Sequence, residues 1–254
     1  MRSELPRPSV VLFDLDNTLY EYEPSHVAAL AAVQGKVERE LGVPASAFEG
    51  FFVQAKKEVK GRLTGLASEH SRLLYFQRMI EIIGLRTQPL LALDLEQTYW
   101  RAFMARSALF PGVRDFLEEL ELLGIQRALV TDLTAQIQFR KLVYFQIEGL
   151  FEAVVTSEES GREKPDPVGF RLALEKLGAP QGPIWMIGDD LKKDMLGAKE
   201  AVGATTVLRV DPRILPHRTP DGVDAVFDDF RALLTMLRQS AGQERAKLAV
   251  GGHA

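Results

Sequence analysis

The stretch VVLFDLDNTLY, residues 10–20, decides how the rest of the chain is read. Four apolar residues run straight into Asp14, with a second carboxylate at Asp16 and a hydroxyl at Thr18. An apolar run this short and rich in β-branched residues reads as a strand buried on both faces, as in a parallel sheet. Polar groups follow at once, which places Asp14 at the carboxyl end of the strand, where open α/β sheets bind ligands. Two carboxylates at i and i+2 leaving a buried strand repel each other unless a cation, a proton or both compensate them. The same residues also read as a simple turn at Asp16-Asn17 with Asp14 as a helix cap, because Asp and Asn favour both positions.

Residues 21–109 change from strand-like to helical spacing. Leu30, Val33, Val37 and Leu41 recur at intervals of three and four, and Gly42 ends that helix. Pro44 opens a second helix through Phe48, Phe52, Ala55 and Val59, with Gly61 and Gly65 bracketing a loop. Ser68 is the expected N-cap of a third helix, and Thr87 the start of a fourth. Four helices with no strand between them cannot form βαβ units, so they read as a bundle inserted after the first strand. The expected division is a catalytic core of residues 1–20 and 110–254 and a helical cap of residues 21–109.

After Phe110-Pro111-Gly112 the alternation of strands and helices resumes. Strands are expected at residues 128–130, 153–155, 184–187, 205–208 and 225–227, with helices at 113–123, 135–145, 168–177 and 193–201. A last helix precedes a tail expected to fray from about Ser240. The fold class is therefore α/β, a Rossmann-like parallel-sheet core with an inserted α-helical cap.

Composition narrows the function. At 254 residues and 46% hydrophobic, the chain can bury a full core. Its 31 basic and 35 acidic residues are not gathered in blocks, which points away from nucleic acid and anionic membranes as partners. Without cysteine there is no disulfide, thiolate metal site or cysteine nucleophile. The segment MRSELPRPS carries prolines where a signal peptide needs an apolar stretch, and no apolar run approaches the ~20 residues that span a bilayer. A cytoplasmic, soluble protein, monomer or homodimer, is the expectation.

Asp14, Thr131 and Asp189 each follow an apolar strand, and parallel strands bring their carboxyl ends to one edge. Carboxylates with a hydroxyl and a lysine suit an oxygen-ligated hard cation such as Mg²⁺ together with an anionic substrate. With histidine only at His26, His70, His217 and His253, a zinc site does not fit.

These residues carry a resemblance to the haloacid dehalogenase superfamily of phosphohydrolases. Its first motif, DxDxT, stands as Asp14-Leu15-Asp16-Asn17-Thr18; its second, a strand ending in Thr or Ser, as Leu129-Val130-Thr131. The third, a lysine before proline, is Lys164-Pro165, and the fourth, GDxxxxD, is Gly188-Asp189 with Asp194. The helical segment between the first and second motifs is similar to the helical cap of one large subgroup. Two positions depart from the pattern. Asp132 stands where Asn or Gly is common, and Asp190 where Ser or Thr is common and is read as a helix cap.

The resemblance implies a Mg²⁺-dependent phosphatase acting on a small phosphorylated metabolite, such as a nucleotide or sugar phosphate. Asp14 would be the nucleophile that forms an aspartyl-phosphate, and Asp16 the acid and then the base. Lys164, the Thr131 hydroxyl and the backbone N–H of Asp132 would meet the phosphoryl group. Asp14, the Asp16 carbonyl and Asp189 would ligate the metal, with Thr18 and Asp194 behind them. The second carboxylate, Asp16, argues against carbon–halogen chemistry. A phosphomutase, or a phosphonate hydrolase using a cap lysine (Lys36, Lys56, Lys57 or Lys60), stays open, as does a catalytically idle binding protein. Substrate choice is expected in the cap, with Arg62, His70 and Arg72 as candidates.

Overall fold

A computed structural model describes residues 5–211, 213 and 219–251 of the chain. Val10–Phe13 form strand β1, buried at every position, as a strand at the centre of a sheet must be. Its neighbours are β2 (Gln126–Thr131) and β4 (Ile184–Gly188), both parallel, with Phe13 in register with Leu129 and with Ile187. β3 (Ala153–Thr156) lies outside β2 and leads into the one-turn helix α7 (Ser157–Ser160), and β5 (Thr205–Arg209) and β6 (Ala225–Phe227) lie beyond β4. The order is β3-β2-β1-β4-β5-β6, all parallel. Chain direction across the sheet reverses at β1, so the crevice at a topological switch point opens where Asp14 leaves the strand.

Alternation along β1 divides the core. Val11 and Phe13 join one apolar cluster, and Val10 and Leu12 join the other. The second cluster is covered by α8 (Pro167–Lys176) and α9 (Gly197–Val202) through Phe170, Ala173 and Ala198. The first is covered by α5 (Val113–Leu122), α6 (Ala135–Phe145) and α10 (Phe230–Gly251), and it runs on without a break into the inserted helices.

Four helices separate β1 from α5: α1 (Tyr22–Leu41), α2 (Ala45–Arg62), α3 (Arg72–Ile82) and α4 (Pro89–Arg106). α1 packs on α4 and α2 on α3, around Phe52, Phe76, Tyr99 and Phe103. The two chain crossings into this bundle are joined where Phe110 N–H donates to Leu19 C=O at 2.9 Å.

Local signals at the helix ends differ from expectation in five places. α4 begins at Pro89 after Gln88, and Thr87 donates instead to Glu81 Oε1 at 2.8 Å. Gly61 lies inside α2, which continues through Arg62 and stops where Leu63 leaves helical angles. The cap of α3 is Ser71, not Ser68: its hydroxyl accepts from Leu74 N–H at 3.3 Å, and residues Ala67–His70 form a separate 3₁₀ turn. After Asp190 the chain makes a π-helical turn, Leu191–Leu196, before α9, so no helix begins at Lys193. The last helix runs to Gly251 where fraying from Ser240 was expected. His217 and His253 lie outside the described residues. Among the described residues no helix is long and apolar enough to cross a membrane.

Candidate active site

Asp14 sits at the carboxyl end of β1, its N–H donating to Ile187 C=O at 2.9 Å. Lys164, from the loop before α8, places its ammonium 2.6 Å from Asp14 Oδ1 and 2.7 Å from Asp194 Oδ1. Thr18 donates to Asp14 Oδ2 at 2.9 Å and also lies 3.4 Å from Asp189 Oδ1. Carboxylate oxygens of Asp14, Asp189 and Asp194 all fall within 4.8 Å of one another. Asp194 is buried on the π-helical turn and accepts from Asp190 N–H at 3.1 Å, so it is no surface partner of Lys193 or Lys199. Gly188 is required for this approach, because a Cβ there would come within 2.6 Å of Asp194 Cβ.

Three carboxylates around one ammonium, Asp14 and Asp194 buried and Asp189 half-buried, leave an excess of negative charge. Burial, reinforced by Asp194 and Asp189, pushes the Asp14 carboxyl well above its usual range against the pull of Lys164. Burial and Asp194 likewise push Asp189 up to about 6. Lys164 is also raised, since the attraction of Asp14, Asp194 and Asp132 outweighs the effect of burial. An all-oxygen donor set with surplus negative charge fits a hard divalent cation such as Mg²⁺.

Asp16 is held on the other side of the loop. Lys141 reaches its Oδ1 at 2.6 Å, the Tyr20 hydroxyl donates to the same oxygen, and Gln138 Nε2 donates to Oδ2 at 3.3 Å. Burial works to raise this carboxyl, and the Lys141 ammonium with these hydrogen bonds overrides it, leaving Asp16 below its ordinary value. The Asp16 contacts to Gln138 and Lys141 were missed in the sequence. The available signal was two polar residues among the buried positions Ile137, Gln138, Lys141, Leu142 and Phe145 of α6.

Thr131 accepts from Gln138 Nε2 at 2.6 Å, and the same amide donates to Asp132 C=O at 2.8 Å. The carboxylate of Asp132 accepts from Lys164 N–H at 3.0 Å and from Lys193 Nζ at 2.8 Å. Its extra charge relative to Asn or Gly is thereby taken up by Lys193. Asp190 accepts from the N–H groups of Lys192 and Lys193, each at 2.8 Å, and caps the turn.

The three cap candidates part company. His70 Nε2 lies 2.9 Å from Glu163 Oε1, and Arg72 is buried beneath it, donating to His70 C=O at 2.7 Å. Both line a cavity of about 330 Å³ that also touches Asp16, Asn17 and Asp132. Arg62 points elsewhere: it is exposed, pairs with Glu58 and lines no part of this cavity. Of the cap lysines, Lys56 and Lys60 face the cavity, whereas Lys36 is paired with Asp94.

Comparison with known proteins adds to this geometry. A family model described as haloacid dehalogenase-like hydrolase matches residues 8–201. The chain is 41% identical over 202 residues to the ribulose-1,5-bisphosphate 5-phosphatase of Halopiger xanaduensis, covering 79% of this chain and 84% of that one. It is 30% identical over 234 residues to the glyceraldehyde 3-phosphate phosphatase of Methanopyrus kandleri, covering 91% and 97%. Among solved structures, a HAD phosphatase from Thermococcus onnurineus superposes with a TM-score of 0.67 at 25% identity, covering 90% of this chain and 97% of that one.

Proposed function

The chain belongs to the haloacid dehalogenase-like hydrolases, and on that premise we propose that it is a Mg²⁺-dependent phosphatase releasing phosphate from a small phosphomonoester. The observation that carries this reading is the buried Asp14, bridged by Lys164 to Asp194 at the switch point of the sheet. The relatives' phosphatase names support a phosphorylated metabolite of the sugar-phosphate kind. Residues 21–109 serve in this reading as the cap that reads the substrate, and residues 1–20 and 110–254 as the core that handles phosphate.

Asp14 attacks phosphorus in line, the ester oxygen leaves, and an aspartyl-phosphate forms on the carboxylate. Asp16, which Lys141 holds low in the free chain, takes up a proton as the phosphate dianion arrives beside it, gives that proton to the leaving oxygen and then takes one from the water that hydrolyses the intermediate. Lys164, the Thr131 hydroxyl and the backbone N–H groups after Thr131 stabilise the charge on the transferring phosphoryl group. Asp14, Asp189 and the Asp16 carbonyl would hold Mg²⁺, with Asp194 behind them. When bound, the ion keeps Asp14 ionised and neutralises phosphoryl charge. Gln138 and Lys141 orient Asp16, and Thr18 orients Asp14.

Inorganic phosphate release from p-nitrophenyl phosphate and a panel of sugar phosphates, with and without Mg²⁺, tests the reading. Mg²⁺-dependent release is expected. No release from any ester in the presence of Mg²⁺ overturns it.

A further inference from the structure

The wall of the 330 Å³ cavity that faces the catalytic loop is built by the cap, and it is cationic. Arg72 is 8% exposed, yet no carboxylate accepts from it among the described residues. Its NH1 and NH2 groups donate to His70 C=O and to the Tyr22 hydroxyl, and among the described residues its buried Nε has no acceptor. The guanidinium lies between the rings of Tyr75 and Tyr99, 5.3 Å from each centroid, which supplies quadrupole attraction but no counter-charge. A buried cation without an anion is expensive, and native proteins normally pair it.

Lys56 stands beside it on α2, exposed to the cavity and without an ion pair among the described residues. Burial and the neighbouring charges of Arg72 and Lys60 lower its ammonium against the weaker pull of Glu23. Burial with the charges of Arg72 and Lys56 also pushes His26, on the same wall, down to about 4. The carboxylates facing this space do not answer these cations. Asp16 is taken by Lys141, Asp132 by Lys193, and Glu23 makes no ion pair with Lys56. A second cleft, of about 720 Å³, opens on Asp189 and also carries cations, but there Arg213 is already paired with Asp211 and Glu21, and Arg209 donates to Asn17 C=O and lies 3.7 Å over the Phe110 ring.

We propose that Arg72 and Lys56 form a second anion site, so that the substrate carries a negatively charged group at the end remote from the phosphoryl being transferred. This rests on the phosphatase reading for its first anchor, Asp14 and Lys164. The substrate class is a short, flexible phosphomonoester ending in a second phosphate or a carboxylate. The cavity has the size of a small metabolite, and its two ends have complementary tasks: chemistry at the core and charge recognition at the cap.

Hydrolytically inert probes test the site apart from turnover. Binding of alkyl phosphonates of three to six carbons is compared by calorimetry with that of the α,ω-bisphosphonates and ω-phosphonocarboxylates of the same lengths. At the best length a second anion should tighten binding at least about tenfold, the scale of one charge-assisted hydrogen bond. Tightening by either doubly charged series supports the site and says which anion it takes. In Lys56→Met, an exposed position whose loss leaves packing intact, the gap should shrink below about threefold while monophosphonate affinity stays unchanged. Equal affinity for singly and doubly charged probes at every length, or an undiminished gap in Lys56→Met, overturns the proposal. Failure of the phosphatase reading has a separate signature, since the binding gap would persist while no phosphate is released from the corresponding alkyl phosphates with Mg²⁺.

Discussion

The ammonium of Lys141 lies 2.6 Å from Oδ1 of Asp16, although the two residues are 125 positions apart. Lys141 is fully buried, and the rings of Tyr20, Tyr22, Trp100 and Phe103 surround it at 5.7 to 5.9 Å. Three of these rings, Tyr22, Trp100 and Phe103, come from the inserted segment, so the contact joins the cap to the proposed acid–base group. Lys141→Met keeps the aliphatic stem and removes the charge. It should lower kcat by roughly tenfold to a hundredfold, less than the 10²–10⁴ supplied by the acid–base group itself, and leave the affinity for an inert phosphonate unchanged. A variant that loses affinity in proportion to kcat would show Lys141 shaping the cavity and not Asp16.

Asp14→Asn should leave the fold intact and abolish phosphate release, because an amide is a very poor nucleophile. Thr18 can still donate to the retained carbonyl oxygen, so circular dichroism and melting temperature should stay close to wild type. Steady-state turnover near the wild-type rate, with deamidation excluded by mass spectrometry, would remove Asp14 from the nucleophile's role.

The strand ends were legible because chemistry and local pattern coincide there. The run Val10–Phe13 is apolar up to the residue where Asp14 begins, and the same holds for Ile184–Gly188 before Asp189. α6 was expected at 135–145 and forms at Ala135–Phe145. What sequence could not supply was which polar residues of a helix turn inward. Arg62 and Arg72 are the same residue type ten positions apart, yet one is exposed at the end of α2 and the other buried at the start of α3. The cage around Lys141 draws on α1, α4 and Tyr20 after the Asp16 loop, and no local periodicity encodes such an assembly. Ser68 and Ser71 are equally good caps by composition, but Ser68 lies inside the 3₁₀ turn Ala67–His70, which leaves Ser71 to cap α3.

His26 provides a pH test of the cap. Its Nδ1 lies 2.6 Å from the Tyr99 hydroxyl, and burial with the charges of Arg72 and Lys56 lowers it to about 4. An unfolded histidine takes up its proton near 6.5. The unfolded state therefore binds more protons than the folded state between about 6.5 and 4, and stability contributed by neutral His26 is lost as pH falls through that window. His26→Gln removes the linkage, so this variant should lose less melting temperature between pH 7 and pH 4.5 than wild type. Parallel losses in the two proteins would show that His26 is protonated in the fold or equally titratable in both states.

Among the described residues Lys164 is the single ammonium that touches both Asp14 and Asp194, at 2.6 and 2.7 Å, and it is buried with them. Lys164→Met leaves three carboxylates facing one another without that compensation. Breaking a buried pair from one side costs about 3–5 kcal/mol, so the melting temperature without metal should fall. The same change makes the carboxylate cluster a stronger attractor for a divalent cation, and a ligand bound only by the folded state stabilises it by mass action. Mg²⁺ should therefore raise the melting temperature of Lys164→Met by more than that of wild type. Activity should behave differently from stability: at saturating Mg²⁺ kcat should remain roughly 10²–10³ below wild type, the scale of one lost transition-state stabiliser. The two readouts separate the structural from the chemical role of the ammonium. A kcat within about threefold of wild type once Mg²⁺ has restored stability would confine Lys164 to holding the carboxylates together.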